Sequence, residues 1–367
     1  MNYCLQFAVF ALLFSPFSAQ SQSSSTIPVS HTSLKEGFSK ESNNCSEVRY
    51  TFDIGSASAK LGVLKVNHCQ SKIISFLKSD VEHLSLQHCL SESADHNTLT
   101  DACIEQELVK LNNVLKRNNI DCAVARCAGI ATAWARYAKN SNKFLQKLAQ
   151  MGLKIKVISQ EDEGKFAYCS AMLHPIVQGV DAKEEVAILD VGGGSFQIGI
   201  EKINNIQIVG GKIGVFNIKK YINQHLPHEH RQNLYYNKEE FPHALKMAVK
   251  LVRPYIESDK HLKEMAEKNK VQVFAVGLLF LDGLMTKLAF NHIVKKDELL
   301  LMAQSFSGMT EEEVINKYPE MNNLLIRNVQ VMLMLLYAIL ENLQVEQFEI
   351  VDARLFDYIA LEDEFWN

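Results

Sequence analysis

The sequence predicts an α/β fold assembled from two repeated halves. Short apolar runs alternate with stretches of helical periodicity along the chain. A strand–Asp–x–Gly–turn–strand unit occurs twice, at Asp53 and again at Asp190. The 367 residues suit two domains of ordinary size. With 47% hydrophobic and 22% charged residues, the composition excludes a disordered, collagen-like or polytopic membrane chain. A net charge of −4 argues against a general polyanion binder, so nucleic acid is not the expected partner. A compact anion site built from backbone N–H groups and a metal stays open.

The first 34 residues lack Lys, Arg, Asp and Glu. An apolar run from Phe7 to Phe14, then Ala19-Gln20-Ser21, reads as an export signal over residues 1–21, too short for a stable membrane anchor. Its removal takes Cys4 and leaves seven cysteines, six of them before residue 128. Export permits disulfides, and any bridges would concentrate in the N-terminal half, with at least one thiol free or paired between chains, as a homodimer would allow; buried core thiols are the alternative. Residues 22–47, rich in Ser and Asn, read as a linker.

The body opens with a strand over Tyr50–Ile54, a turn over Gly55–Ser58 and a returning strand over Leu61–Val66. Ile104, Leu108, Leu111 and Leu115 recur at helical spacing and place a helix over 98–117. Cys122–Ala125 reads as a short strand, and Phe144–Leu148 lies on a helix that exposes Lys139, Lys143 and Lys147. The theme returns with a strand over Val186–Asp190, the turn Gly192–Ser195 and a strand over Phe196–Ile200. Val271–Val276 follows as a strand, Val329–Leu343 as a core helix, and Phe348–Val351 as the closing strand. The expected domains are 48–148 and 149–367.

Glycine turns after strands allow backbone N–H groups to wrap a phosphate, and Ser56 and Ser195 add hydroxyls. Asp53 and Asp190 stand at the same offset in each copy, where facing carboxylates could hold Mg²⁺ through hard oxygens and waters. Between the copies lies Ser159-Gln-Glu-Asp-Glu163. Ser159 and Asp162 have the spacing of a helix cap, while a carboxylate turned to the cleft could take a proton from an attacking water.

Asp53-Ile-Gly-Ser-Ala-Ser58, Ala131-Thr132 leading to Arg136-Tyr-Ala-Lys-Asn140, Ile158-Ser159 with Asp162-Glu163, and Asp190-Val-Gly-Gly-Gly-Ser195 together resemble the exopolyphosphatase/guanosine pentaphosphate phosphatase (Ppx/GppA) family. The resemblance implies two actin/Hsp70/sugar-kinase-like (ribonuclease H-like) domains around a central cleft. It also implies Mg²⁺-assisted release of terminal phosphate from polyphosphate or a phosphorylated nucleotide. Carried over, Asp53 and Asp190 hold the metal, and Glu163, with Asp162 beside it, supplies the catalytic base. Gly55, Ser56, Gly192, Gly193, Gly194 and Ser195 bind phosphate, with Ser58, Lys60 and Arg136 completing that set.

The chain departs from the family pattern at Ser195-Phe196-Gln197, at Ala133 and at Leu355–Tyr358, and most at Val276-Gly277-Leu278-Leu279-Phe280, where a polar anchor is expected. Ala131, Thr132, Ala133, Glu163, Gly164 and Gln197 are also similar to the motifs of secreted apyrases, which gives nucleoside tri- and diphosphate hydrolysis as the alternative. A non-catalytic nucleotide or polyphosphate sensor is the rival from another class. Trp134 reads as core. His225, His228 and His230 read as a solvated loop, and the lysines from Lys139 to Lys156 as an exposed helix face.

Overall fold

The computed structural model describes residues 45–181, 185–202, 205–226, 234–267, 271–277, 280 and 284–367. The expected signal segment, most of the linker, His228, His230, Leu278 and Leu279 lie outside the described residues. The folded body starts earlier than the linker reading placed it, because Cys45 is bridged to Cys69 and the first strand begins at Ser46.

Each half is a sheet with one strand order. In the first half, β1 (Ser46–Ile54), β2 (Ser58–Asn67), β3 (Lys72–His83), β4 (Cys127–Ala131) and β5 (Lys154–Val157) lie in the order β3-β2-β1-β4-β5. The second half repeats this with β6 (Glu185–Val191), β7 (Phe196–Lys202), β8 (Asn205–Gly211), β9 (Val271–Val276) and β11 (Gln347–Ile350), ordered β8-β7-β6-β9-β11. A short β10 (Ile293–Lys295) is added antiparallel to β11. In both sheets the first three strands are antiparallel and the remaining repeated pairs are parallel. The two halves thus repeat one architecture, as the duplicated turns predict.

Several elements differ from expectation. The strand expected at Cys122–Ala125 is a turn closed by the Cys122–Cys127 bridge, in which the Ala125 N–H donates to the Asp121 carbonyl. The strand itself follows at Cys127–Ala131, all of it buried. The boundary expected at 148 moves, because β5 pairs in parallel with β4 and keeps the first sheet running to Val157. Beyond β11 the chain adds a helix over Leu355–Ile359. The apolar helix spans Asn323–Leu343 and is the only described helix long and apolar enough to cross a membrane, but 78% of its apolar window is buried inside the protein.

Two helices cross between the halves. Gln160–Met172 follows β5 yet packs on β6, β7 and β8 of the other sheet, whereas Leu355–Ile359 follows β11 and packs back on β1 and β2. They also pack on each other, and between the sheets they form a third core. It joins Leu64, Val66 and Ile130 of the first sheet to Ile188 and Phe274 of the second, with Phe356, Ile359 and Trp366. The chain beyond Ile359 is fastened by Arg49, whose Nη1 donates to the Ala360 carbonyl at 2.7 Å and whose guanidinium lies 4.8 Å from the Trp366 ring centroid.

Three bridges, Cys45–Cys69, Cys89–Cys103 and Cys122–Cys127, staple the first half, as the cysteine distribution predicts. The expected free thiol is not found among the described residues, since Cys169 is also disulfide-bonded. Closing a loop of this size stabilises a fold by about 3 kcal/mol. A Cys89→Ala/Cys103→Ala variant should therefore melt several degrees below the wild type, with the gap vanishing in reductant. Identical melting in oxidising buffer would remove that bridge from the fold.

Candidate active site

The two turns meet across a cleft of about 350 Å³ between the halves. Their local structures match. The Gly55 N–H donates to the Ser58 carbonyl at 2.8 Å, and the Gly192 N–H donates to the Ser195 carbonyl at 2.9 Å. Asp53 faces Lys60 across its hairpin as Asp190 faces Gln197 across the other. Sequence repetition has thus become a repeated hydrogen-bonded turn, tipped each time by an aspartate.

Trp134 shows how the first turn is held. Its fully buried indole donates to the Ile54 carbonyl at 2.8 Å and packs edge-on against Phe144. Core packing and site positioning are therefore one contact. In the second turn, the Phe216 ring lies against Gly193 so closely that any Cβ there would come within 2.3 Å of it. Gly277, at φ +94°, closes the end of β9 against Asp190, 3.0 Å from where its Cβ would stand. Both positions require glycine, one for space and one for conformation.

The charges converge. Lys60 Nζ donates to Asp53 Oδ2 at 2.7 Å and is also within electrostatic reach of Asp190 and Glu163. Burial works against its charge, but the three carboxylates outweigh that and hold its pKa above the usual lysine value. Burial pushes Asp190 up to about 6, with Lys60 opposing and Asp53 adding to the rise. Burial likewise pushes Glu163 up to about 7; the Arg136 guanidinium opposes, while Asp190 and Asp53 add.

Asp53, Gly55, Ser56, Ser58, Lys60, Glu163, Asp190, Gly192, Gly193, Gly194 and Ser195 all line the cleft. Two expected residues do not. Asp162 caps its own helix: its N–H donates to Ser159 Oγ at 3.0 Å, and its Oδ2 accepts from the same hydroxyl at 2.7 Å. Neighbouring residues on a helix point about 100° apart, so the cap that occupies Asp162 turns Glu163 inward. Arg136 does not line the cleft with the two glycine turns. Its Nη2 donates to Glu163 Oε2 at 2.8 Å and its Nη1 to the Ile158 carbonyl at 3.0 Å. Sequence reasoning did not bring in His83, Phe216, Lys287 or Asn322, which also line the cleft. They come from distant segments and carry no shared spacing.

Ser56 Oγ is buried in the cleft wall without a hydrogen-bond partner among the described residues. An unpaired buried hydroxyl is costly unless a ligand takes it up. No three His, Cys, Asp or Glu side chains gather into a metal cage among the described residues. The donor set still fits Mg²⁺, which commonly keeps waters and takes one or two carboxylates together with substrate phosphate oxygens.

The sequence model of the Ppx/GppA phosphatase family matches residues 65–353. Among solved structures, the chain is similar to a Ppx/GppA family member from Aquifex aeolicus, at 19% identity and a TM-score of 0.60 over 86% of this chain and 97% of that one. It is similar to an exopolyphosphatase from Cytophaga hutchinsonii at 12% identity and a TM-score of 0.64, covering 86% and 96%. An exopolyphosphatase-like protein matches at 15% identity and a TM-score of 0.65, covering 87% and 98%. No curated protein matches the chain.

Because Arg136 opposes the rise in the Glu163 pKa, Arg136→Gln should move the acid limb of any Glu163-dependent pH profile to higher pH; an unmoved limb would uncouple the pair. A carboxyl whose folded pKa exceeds its unfolded value favours the fold while protonated, and that contribution is lost as pH rises through the folded pKa. For Asp190 the window runs from the ordinary 3.8 to about 6. Without divalent cations, Asp190→Asn should melt above the wild type at pH 8 and level with it below that window. A gap independent of pH would contradict a raised pKa at Asp190.

Proposed function

This chain belongs to the Ppx/GppA phosphatase family, and on that footing we propose that it releases the terminal phosphate of a phosphoanhydride by attack of water, with Glu163 as general base. The observation that carries the reading is the presence of Glu163, with its pKa near 7, in the cleft that holds both aspartate-tipped turns. A base poised near neutrality combines the ionised state with useful proton affinity.

Arg136 fixes Glu163 through Oε2, and Oε1 accepts no hydrogen bond among the described residues, so that oxygen is the one to receive the proton. The two turns present N–H groups and the Ser56 and Ser195 hydroxyls to phosphoryl oxygens, where charge grows during transfer. Lys60 keeps further N–H donors beyond the one given to Asp53. Asp53 and Asp190 would hold Mg²⁺, which when bound supplies positive charge to the phosphate oxygens. Site charge supports a cation there, because Asp53, Asp190 and Glu163 outnumber Lys60 and Arg136, and the other lysine in the lining, Lys287, is paired with Glu320.

Export is part of the proposal. Disulfides persist in oxidising compartments, and the three bridges of the first half support a location outside the reducing cytoplasm.

Phosphate release from polyphosphate, guanosine pentaphosphate, ATP and GDP tests the reaction. Glu163→Gln should lower kcat by roughly 10²–10⁴-fold while retaining Mg²⁺-dependent ligand binding. Undiminished release would take Glu163 out of the mechanism, and binding without release by the wild type would leave a sensor.

A further inference from the structure

We propose that the cleft accepts a phosphoanhydride bearing an aromatic group, a nucleoside di- or triphosphate, in preference to long inorganic polyphosphate, and that Phe216 recognises the aromatic group; this rests on the hydrolase reading above. Beside the second turn the cleft wall is apolar. Phe216 sits against Gly193, and Leu324, Leu325 and Met332 continue the same surface. Leu325 and Met332 are buried, whereas Phe216 and Leu324 keep part of their surface open to the cleft. Only a ligand with apolar surface gains from that wall, and a flat ring gains most from the face of another.

Charge points the same way. A long polyphosphate carries negative charge on every unit and needs cations in succession along its path. Two lysines line the cleft among the described residues, too few for a succession of charged units, and each already faces a carboxylate, Lys60 with Asp53 at 2.7 Å and Lys287 with Glu320 at 2.8 Å. Lysines of the exposed helix face are also paired: Lys139 with Asp95, Lys143 with Asp101 and Lys147 with Glu105. Shape agrees with charge. Asn322 Nδ2 lies 3.1 Å from His83 Nε2, linking the two halves across the cleft wall where a threaded chain would need an open groove. A volume of about 350 Å³ is that of a small-molecule site.

The experiment compares kcat/KM for ATP, GTP, inorganic tripolyphosphate and long-chain polyphosphate in the wild type, Phe216→Ala and Phe216→Leu. The wild type should favour the nucleotides over long chains. Both variants should lower the nucleotide-to-tripolyphosphate ratio, Phe216→Ala by about tenfold or more. A ratio cancels any general loss of folded enzyme, and the leucine variant keeps apolar bulk while removing the ring. An unchanged ratio in both variants, or long polyphosphate as the best wild-type substrate, would overturn the inference. If the wild type releases no phosphate from any of them, the hydrolase reading falls. Competition between ATP and polyphosphate for binding then decides the present inference: tighter ATP binding, weakened in Phe216→Ala, upholds it, and tighter polyphosphate binding sinks it.

Discussion

Asp53, Asp190 and Glu163, gathered around Lys60, form the constraint on which the rest of the structure depends. Burial raises the pKa values of Asp190 and Glu163, and repulsion from the neighbouring carboxylates adds to that rise. Such an arrangement is unfavourable for an empty protein, so the surrounding fold must hold it in place. Each carboxylate is rooted in a rigid element: Asp53 and Asp190 are the second-last residues of β1 and β6, and Glu163 sits in the first turn of a helix capped by Ser159. Stability given up at the cleft is recovered in three separate apolar cores.

The crossing helices explain how two halves can share one site. The helix carrying Glu163 leaves the first sheet and packs on the second, so Glu163 is registered to both. Gln160 on the same helix donates to the Gly211 carbonyl at 2.9 Å, and Arg136 from the first half grips Glu163. A shift of one half relative to the other would therefore strain the contact between Arg136 and Glu163.

Much of this was legible in the sequence where information is local. The turns were readable because glycine, serine and aspartate at a fixed offset state their geometry without reference to distant residues. The third strand of each half was not. In β3, Lys72-Ile-Ile-Ser-Phe-Leu-Lys78 shows no clean alternation, because register shifts opposite Val63/Leu64 and Lys65/Val66 change which side of the strand faces the core. Four-residue β5 is mostly exposed and carries little pattern. Arg136 was hard to place for another reason: its partner lies 27 residues away, and only the tertiary fold brings its guanidinium to Glu163.

The return of Leu355–Ile359 to β1 and β2 bears on how the protein is made. On a ribosome the first sheet emerges early, yet the side of it that carries Leu64, Val66 and Ile130 is roofed by residues near 355–366. Those apolar side chains must wait, uncovered, while the whole second half is translated. Biogenesis is thus the stage at which this chain is most open to capture by a chaperone or to sticking to its neighbours, and the finished molecule conceals that hazard.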